Sequence, residues 1–215
     1  MILIKEKLTD RVMYRLNVDT LRGCRIKGGD LRRANLRGID FAGASFDGCT
    51  FSDADLHSAN FKCAVFKNCI LKNTDLTNAD LTSADLSDSV MDVAKLINCN
   101  APGVALRRTK LNGADLSEGN FANADFMFAE LRSNLRHANL QNASFVSADM
   151  SGADFTHADL KGADLTDGKI LGAKFSYAKL QDSICTNGRK WGVAPKIAAE
   201  STQKPWWNVW SRAAL

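Results

Sequence analysis

The chain counts in fives. From Leu21 to Cys185 a large apolar residue returns at every fifth position, with one slip between Leu131 and Leu135. Of the 34 positions in this series, 18 are Leu, 10 are Phe, and the others are Ile26, Met91, Ala101, Met150, Ile170 and Cys185. Two residues before each of them the side chain is small (Ala, Gly, Ser, Thr or Cys) in 31 of the 34 cases, the exceptions being Asp19, Ile39 and Val104. A fixed internal period defines the unit that stacks, so it outranks local signals. Five fits neither the helical period of 3.6 nor the strand period of 2. One large and one small inward position, separated by one residue and then by two, require a corner every five residues. Four corners close a coil of about 20 residues, and the next coil stacks at the strand spacing of ~4.8 Å.

Written in columns of one coil, like falls on like: Leu36, Leu56, Leu76, Leu96 and Leu116 in one column, Phe46 and Phe66 in another. Each buried Leu or Phe contributes about 1.5–3 kcal/mol. The small residues let the walls approach. About eight coils give a rod roughly 40 Å long.

Runs such as Ala79-Asp80-Leu81-Thr82-Ser83 and Ala163-Asp164-Leu165-Thr166-Asp167 fit the pattern A(D/N)LXX. On these runs the chain resembles the pentapeptide-repeat family, over residues 21–185 of 215. The resemblance implies an all-β fold, a right-handed quadrilateral β-helix. Residues 1–20 then read as an N-terminal cap, 21–185 as the repeat, and 186–215 as a Trp-rich tail. In the cap, Met1-Ile2-Leu3-Ile4 suits a short strand, and Val12, Met13, Leu16 and Val18 suit a cover for the open end of the coil.

The tail holds all four Trp residues. Pro205 suits the first turn of a short helix, in which Trp206, Trp210 and Ala213 share a face. Trp206, Trp207 and Trp210 are too much apolar surface to leave in water. They serve either as a cap over the last coil or as a homodimer contact. Contact with a membrane surface is the weaker alternative, because the helix is short and only weakly basic.

Four places break the rhythm. Ala101-Pro102-Gly103 reads as a dented corner or a loop of one repeat. The slip between Leu131 and Leu135 reads as one residue deleted or four added; next to it, Met127 and Phe128 sit at outward positions. Val65, Ile70, Val90 and Val93 are apolar at outward positions on nearby coils, as partner surfaces often are. The last break is the end of the repeat at Cys185.

The net charge of +4 hides an uneven distribution. Residues 1–40 carry 10 Lys/Arg against 5 Asp/Glu, residues 41–185 carry 13 against 18, and residues 186–215 carry 5 against 1. The shaft is acidic and both ends are basic. Arg22, Arg25, Arg32, Arg33 and Arg37 form a candidate basic patch, but no groove-reading element accompanies it, so direct nucleic-acid binding is not expected.

No run of apolar residues is long enough to span a membrane. Lys5, Glu6, Lys7, Asp10 and Arg11 leave no room for a signal peptide's apolar stretch, so a cytoplasmic protein is expected. The six Cys show no zinc spacing. Cys24, Cys49, Cys69 and Cys99 occupy small inward positions, and Cys63 points outward. His137 and His157 stack on one wall with Tyr177 a coil further, which without a third ligand is not a metal site. Most Asp residues sit just before a large inward residue, where they can bond backbone at the corners. With a filled interior, no phosphate loop and no nucleophile–base arrangement, neither a cofactor nor an enzymatic activity is expected.

Two functions remain. The first is an interaction scaffold whose rigid walls face a protein partner, through Val65, Ile70, Val90, Val93, Met127 and Phe128. The second follows from the resemblance. Some pentapeptide-repeat proteins protect DNA gyrase and topoisomerase IV from quinolones or toxins, as dimers whose acidic rods resemble duplex DNA. A type II topoisomerase is the partner in that case. The nearly uninterrupted repeats, the basic ends and the Trp-rich tail depart from those members.

Overall fold

The computed structural model describes residues 1–191. Within them the chain opens with an antiparallel hairpin, β1 (Ile2–Glu6) and β2 (Val12–Leu16). It then winds as a β-solenoid with very short strands: β3 (Arg25–Lys27), β4 (Ala34–Asn35), β5 (Ser45–Asp47) and β6 (Val65–Lys67). β3, β5 and β6 pair in parallel, Arg25 with Ser45 and Ser45 with Val65. From there single parallel bridges link each coil to the next at a spacing of 20, as in Asp55–Asp75, Asn60–Asp80, Val65–Asp85 and Ile70–Val90. Four such bridges per coil give the four-sided section that the five-residue period requires.

Most corners are β-turns. The N–H three residues after a large inward residue donates back to its carbonyl, as Ala54 does to Phe51 (2.8 Å) and Ala64 to Phe61 (2.9 Å). The third turn residue has positive φ, the mark of a type II turn. Gly, Asn and Asp recur there, for example Gly43 (φ 67°), Asn78 (φ 59°) and Asp88 (φ 61°), because they enter the left-handed region most easily. At Pro102-Gly103 the corner is neither dented nor looped. Pro occupies the second turn position and Gly103 the third (φ 66°), which is the residue pair that a type II turn favours. Ala101 and Val104 are both fully buried, so a small residue at a large position lies beside a large one at a small position.

At Leu131–Leu135 one residue is deleted. Bridges below it skip from 20 to 19, as Asp115–Asn134 and Glu130–Asp149 do, and return to 20 at Asn134–Asp154. The shortened corner lacks the positive-φ residue, and the Ser133 hydroxyl donates to the Leu111 carbonyl instead.

The interior is continuous from Leu31 to Leu165, with Phe41, Phe46, Phe51, Phe61 and Phe66 fully buried at its N-terminal end. Ladders form as the columns imply: Phe41 on Phe61 at 5.4 Å and Phe46 on Phe66 at 4.9 Å. Over the first coil lies the hairpin. Ile4 is buried, Ile2, Met13 and Leu16 pack against the core, and β1 pairs with β4 through Lys5–Asn35 and Glu6–Ala34. Val18 does not join this cover and stays exposed. No helix occurs among the described residues. The tail helix expected around Pro205, with Trp206, Trp207 and Trp210, lies outside them.

Candidate interaction surface

A filled interior leaves the outside as the place where chemistry can differ from coil to coil. Outward positions are the residue before each large inward one and the two turn residues after it. The first of these builds the corners. Asp55 Oδ1 accepts from the His57 N–H (3.1 Å), Asp75 from Thr77 (3.0 Å), Asp115 from Ser117 (3.0 Å) and Asp164 from Thr166 (2.9 Å). Amides in the same columns bridge successive coils: Asn60 Nδ2 donates to Asp40, Asn120 to Asn100, and Asn139 to Asn120. These carboxylates are structural.

The arginines of the first coils do not form a free basic patch. Arg22 pairs with Asp40 (2.8 Å), Arg32 with Asp30 (2.6 Å), Arg33 with Glu6 (3.1 Å) and Arg37 with Asp55 (3.2 Å). Only Arg25 of the five has no ion pair among the described residues. The five also ring the coil, at three corners and along β3, rather than sharing one wall. The sequence supplies the positive charge. The coil spacing gives Arg22 and Arg37 a carboxylate 18 residues on, Arg32 pairs within its own turn, and the hairpin brings Glu6 to Arg33.

The outward apolar residues divide in two. Ile70 and Val90 bridge directly, one coil apart, and Val93 is the third turn residue of the same wall. Val65 lies on the neighbouring wall, across the Asn68 corner, beside Asp85. Val90 is half-buried, whereas Ile70 and Val93 are exposed. Val93 is singular. It is 58% exposed and holds φ 60°, the only β-branched residue at a positive φ among the described residues. The left-handed region costs an ordinary L-residue about 1–2 kcal/mol, and a β-branched residue there is an outlier. One coil below stands Asn73 and one above Gly113, both suited to that φ. Polar pairs frame the patch: Lys72 with Asp92 (4.0 Å), and Arg108 with Asp88 through two bonds of 2.6 and 2.7 Å. The bond from Arg108 holds the Asp88 carboxyl below the usual carboxylate range.

Met127 and Phe128 form a second, separate patch at the corner that opens this wall. Phe128 is 54% exposed with φ 60°, and Lys110 and Glu130 (4.0 Å apart) lie between it and Val90. A third exposed set runs up another corner. His137 stacks on His157 and His157 on Tyr177, each at 4.8 Å and within 8° of parallel. Leu171 is 85% exposed near the last coil, an outward apolar residue that the period alone did not single out. All six cysteines are free thiols, with Cys63 exposed. Burial pushes the Cys69 and Cys99 thiols up to about 12. Among the described residues no group of three or more His, Cys, Asp or Glu is placed to hold a metal ion.

The geometry defines a repeat-built β-solenoid with a filled interior. Comparison with known families gives that class its name: eight copies of the pentapeptide repeat match residues 20–58, 59–92, 94–131 and 132–167, and the chain belongs to the pentapeptide repeat family. Among solved structures it is similar to HetL, a pentapeptide repeat protein involved in heterocyst differentiation regulation in the cyanobacterium Nostoc sp. strain PCC 7120. That match has 24% identity and a TM-score of 0.51, over 78% of this chain and 91% of HetL. It is also similar to full-length QnrB1, a plasmid-mediated fluoroquinolone resistance protein, at 21% identity and a TM-score of 0.50, over 76% of this chain and 85% of QnrB1. At such identities the likeness is one of fold. No curated protein sequence matches significantly.

Proposed function

We propose that the protein is a non-enzymatic interaction scaffold, and that the wall carrying Ile70, Val90 and Val93 is the face it presents to a protein partner. The observation that carries this reading is Val93. An exposed valine in a left-handed turn costs stability and adds nothing to the core, at a position where Gly or Asn would serve the fold better. Strain of this kind collects where a surface has another task, and the adjoining aliphatic Ile70 supplies the apolar area that a partner would cover. Capture from a lysate with immobilised protein tests it. Retention of every captured protein by a chain carrying Ile70→Glu and Val93→Glu excludes this wall.

A second reading is protection of a type II topoisomerase, favoured by the fold likeness to QnrB1 and by the acidic shaft, with Asp55, Asp75, Asp115 and Asp154 in one column. Lys95 interrupts that column and Lys174 ends it, and Arg37 and Arg136 neutralise two of its carboxylates, which is why the scaffold reading ranks first. A gyrase supercoiling assay with a quinolone decides: absence of both rescue and inhibition across a wide dose range removes the second reading.

A further inference from the structure

The two ends of the coil are finished differently. The N-terminal end is covered by the hairpin. At the C-terminal end cover fades: Met150, Phe155 and Leu160 are fully buried, whereas Ile170 and Leu180 in the final coil are only half-buried. With Leu165, Cys185 and Trp191 they line an apolar depression. The backbone is open there as well. In the coils below, the N–H of each large inward residue and that of the residue two further on donate to the next coil, as Leu140 does to Asp159 (2.8 Å) and Asn142 to Lys161 (2.9 Å). The corresponding donors of Ile170, Gly172, Tyr177, Leu180 and Asp182 have no acceptor among the described residues. An apolar floor edged by unpaired donors is a surface that solvent covers poorly and a further stretch of chain covers well.

We propose that this end is a docking face for the chain's own tail, residues 192–215, with Trp206, Trp207 and Trp210 as the apolar cover. Two observations select this occupant over a second copy. First, the backbone already turns back across the end: Ile184 and Lys190 form an antiparallel bridge, and the Trp191 N–H donates to the Ser183 carbonyl (2.8 Å). The tail therefore leaves from the rim of the depression that Trp191 helps to line. Second, 24 residues follow (215 − 191), and Trp206 lies 15 residues beyond Trp191 (206 − 191). That tether reaches up to ~50 Å, far more than one coil requires. A segment tethered at this distance acts at an effective concentration of order millimolar, above that of a second copy in dilute solution. Each Trp can bury about 150–250 Å², and tail carbonyls can accept from the open donors.

Amide hydrogen exchange on the full chain tests the proposal. The Ile170, Gly172 and Leu180 amides are expected to exchange about tenfold or more slowly in the natural chain than in one carrying Trp206→Ala, Trp207→Ala and Trp210→Ala together. The Phe145 amide, deep in the shaft, should stay protected in both. If the triple change disturbs Phe145 as well, the three single changes are compared instead. Equal exchange with and without the Trp residues overturns the proposal. So does protection of these amides that grows with protein concentration, which would assign the face to a second copy.

Discussion

The rings of Phe126 and Phe145 stack at 5.0 Å and within 3° of parallel, although 19 rather than 20 residues separate them. The missing residue is taken out of the corner after Leu131, and the inward columns carry on above it. The deletion is therefore absorbed locally. Insertion of one Gly between Arg132 and Ser133 is expected to restore a regular turn and to change stability by less than about 1 kcal/mol, since a surface loop tolerates added length. Urea melts of the two chains check this; loss of the cooperative transition in the longer chain would show that the short corner is a requirement of the fold.

The inward assignment predicts a sharp contrast. Phe61→Ala opens a cavity among Phe41, Phe46 and Phe66, all packed on its ring, and should cost about 3–5 kcal/mol. Lys161→Ala, at an exposed turn, should stay within about 0.5 kcal/mol. Outward does not always mean silent. Thr82 also points outward, but its hydroxyl donates to Asp80 (2.5 Å) and accepts from Asn100 (3.0 Å), so Thr82→Ala should cost on the order of 1 kcal/mol.

Much of this was legible in the sequence, because a five-residue period fixes which side chains face in, which coils stack, and hence ladders such as Phe46 on Phe66 and His137 on His157. The parts that were not legible depend on partners brought together by the winding. The arginines of the first coils looked like a patch along the chain. In the coil each of Arg22, Arg32, Arg33 and Arg37 meets its own carboxylate, and they point to different sides. Val65, Ile70, Val90 and Val93 looked like one cluster, but a corner at Asn68 puts Val65 on another wall. Along the chain Pro102 reads as a defect, whereas in the coil it is the second residue of a turn whose third is Gly103. The strain at Val93 did have a sequence signal: a valine at the turn position that Gly, Asn and Asp favour elsewhere.

Acid should loosen the rod. The hydrogen bond from Arg132 holds the Asp149 carboxyl down at about 2, with help from Ser151, and Arg32 does the same for Asp30. At Asp154 burial pushes the carboxyl up, but bonds from Thr156 and Arg136 outweigh it and the net shift is downward. An unfolded Asp titrates near ~3.9. These folded-state values are depressed, so the stabilisation is present above about pH 4 and is lost as pH falls toward about 2. The urea midpoint should hold between roughly pH 7 and 5 and fall steadily below about 4. Asp149→Asn should lower the midpoint at neutral pH and flatten the acid slope. A midpoint indifferent to pH between about 4 and 2 would contradict the role given to these pairs.

The thiols should divide by burial. With the Cys69 and Cys99 thiols pushed up to about 12 by burial, a negligible fraction is thiolate at pH ~8. Exposed Cys63 should be alkylated first in the native chain, with Cys69 and Cys99 labelled only after denaturation. Mass spectrometry of the labelled peptides reads the order. Early labelling of Cys69 would mean that its wall opens.

Val93 links the strain of the turn to the proposed partner face. Val93→Asn removes a β-branched residue from the left-handed region and extends the Asp53–Asn73 ladder, in which Asn73 Nδ2 donates to Asp53 (2.7 Å). Stability and partner capture are measured together on this one variant. The Val93→Asn chain is expected to be more stable by about 1 kcal/mol and no longer to retain the partner held by the natural chain. A variant that is no more stable, or one that keeps the partner undiminished, would contradict it.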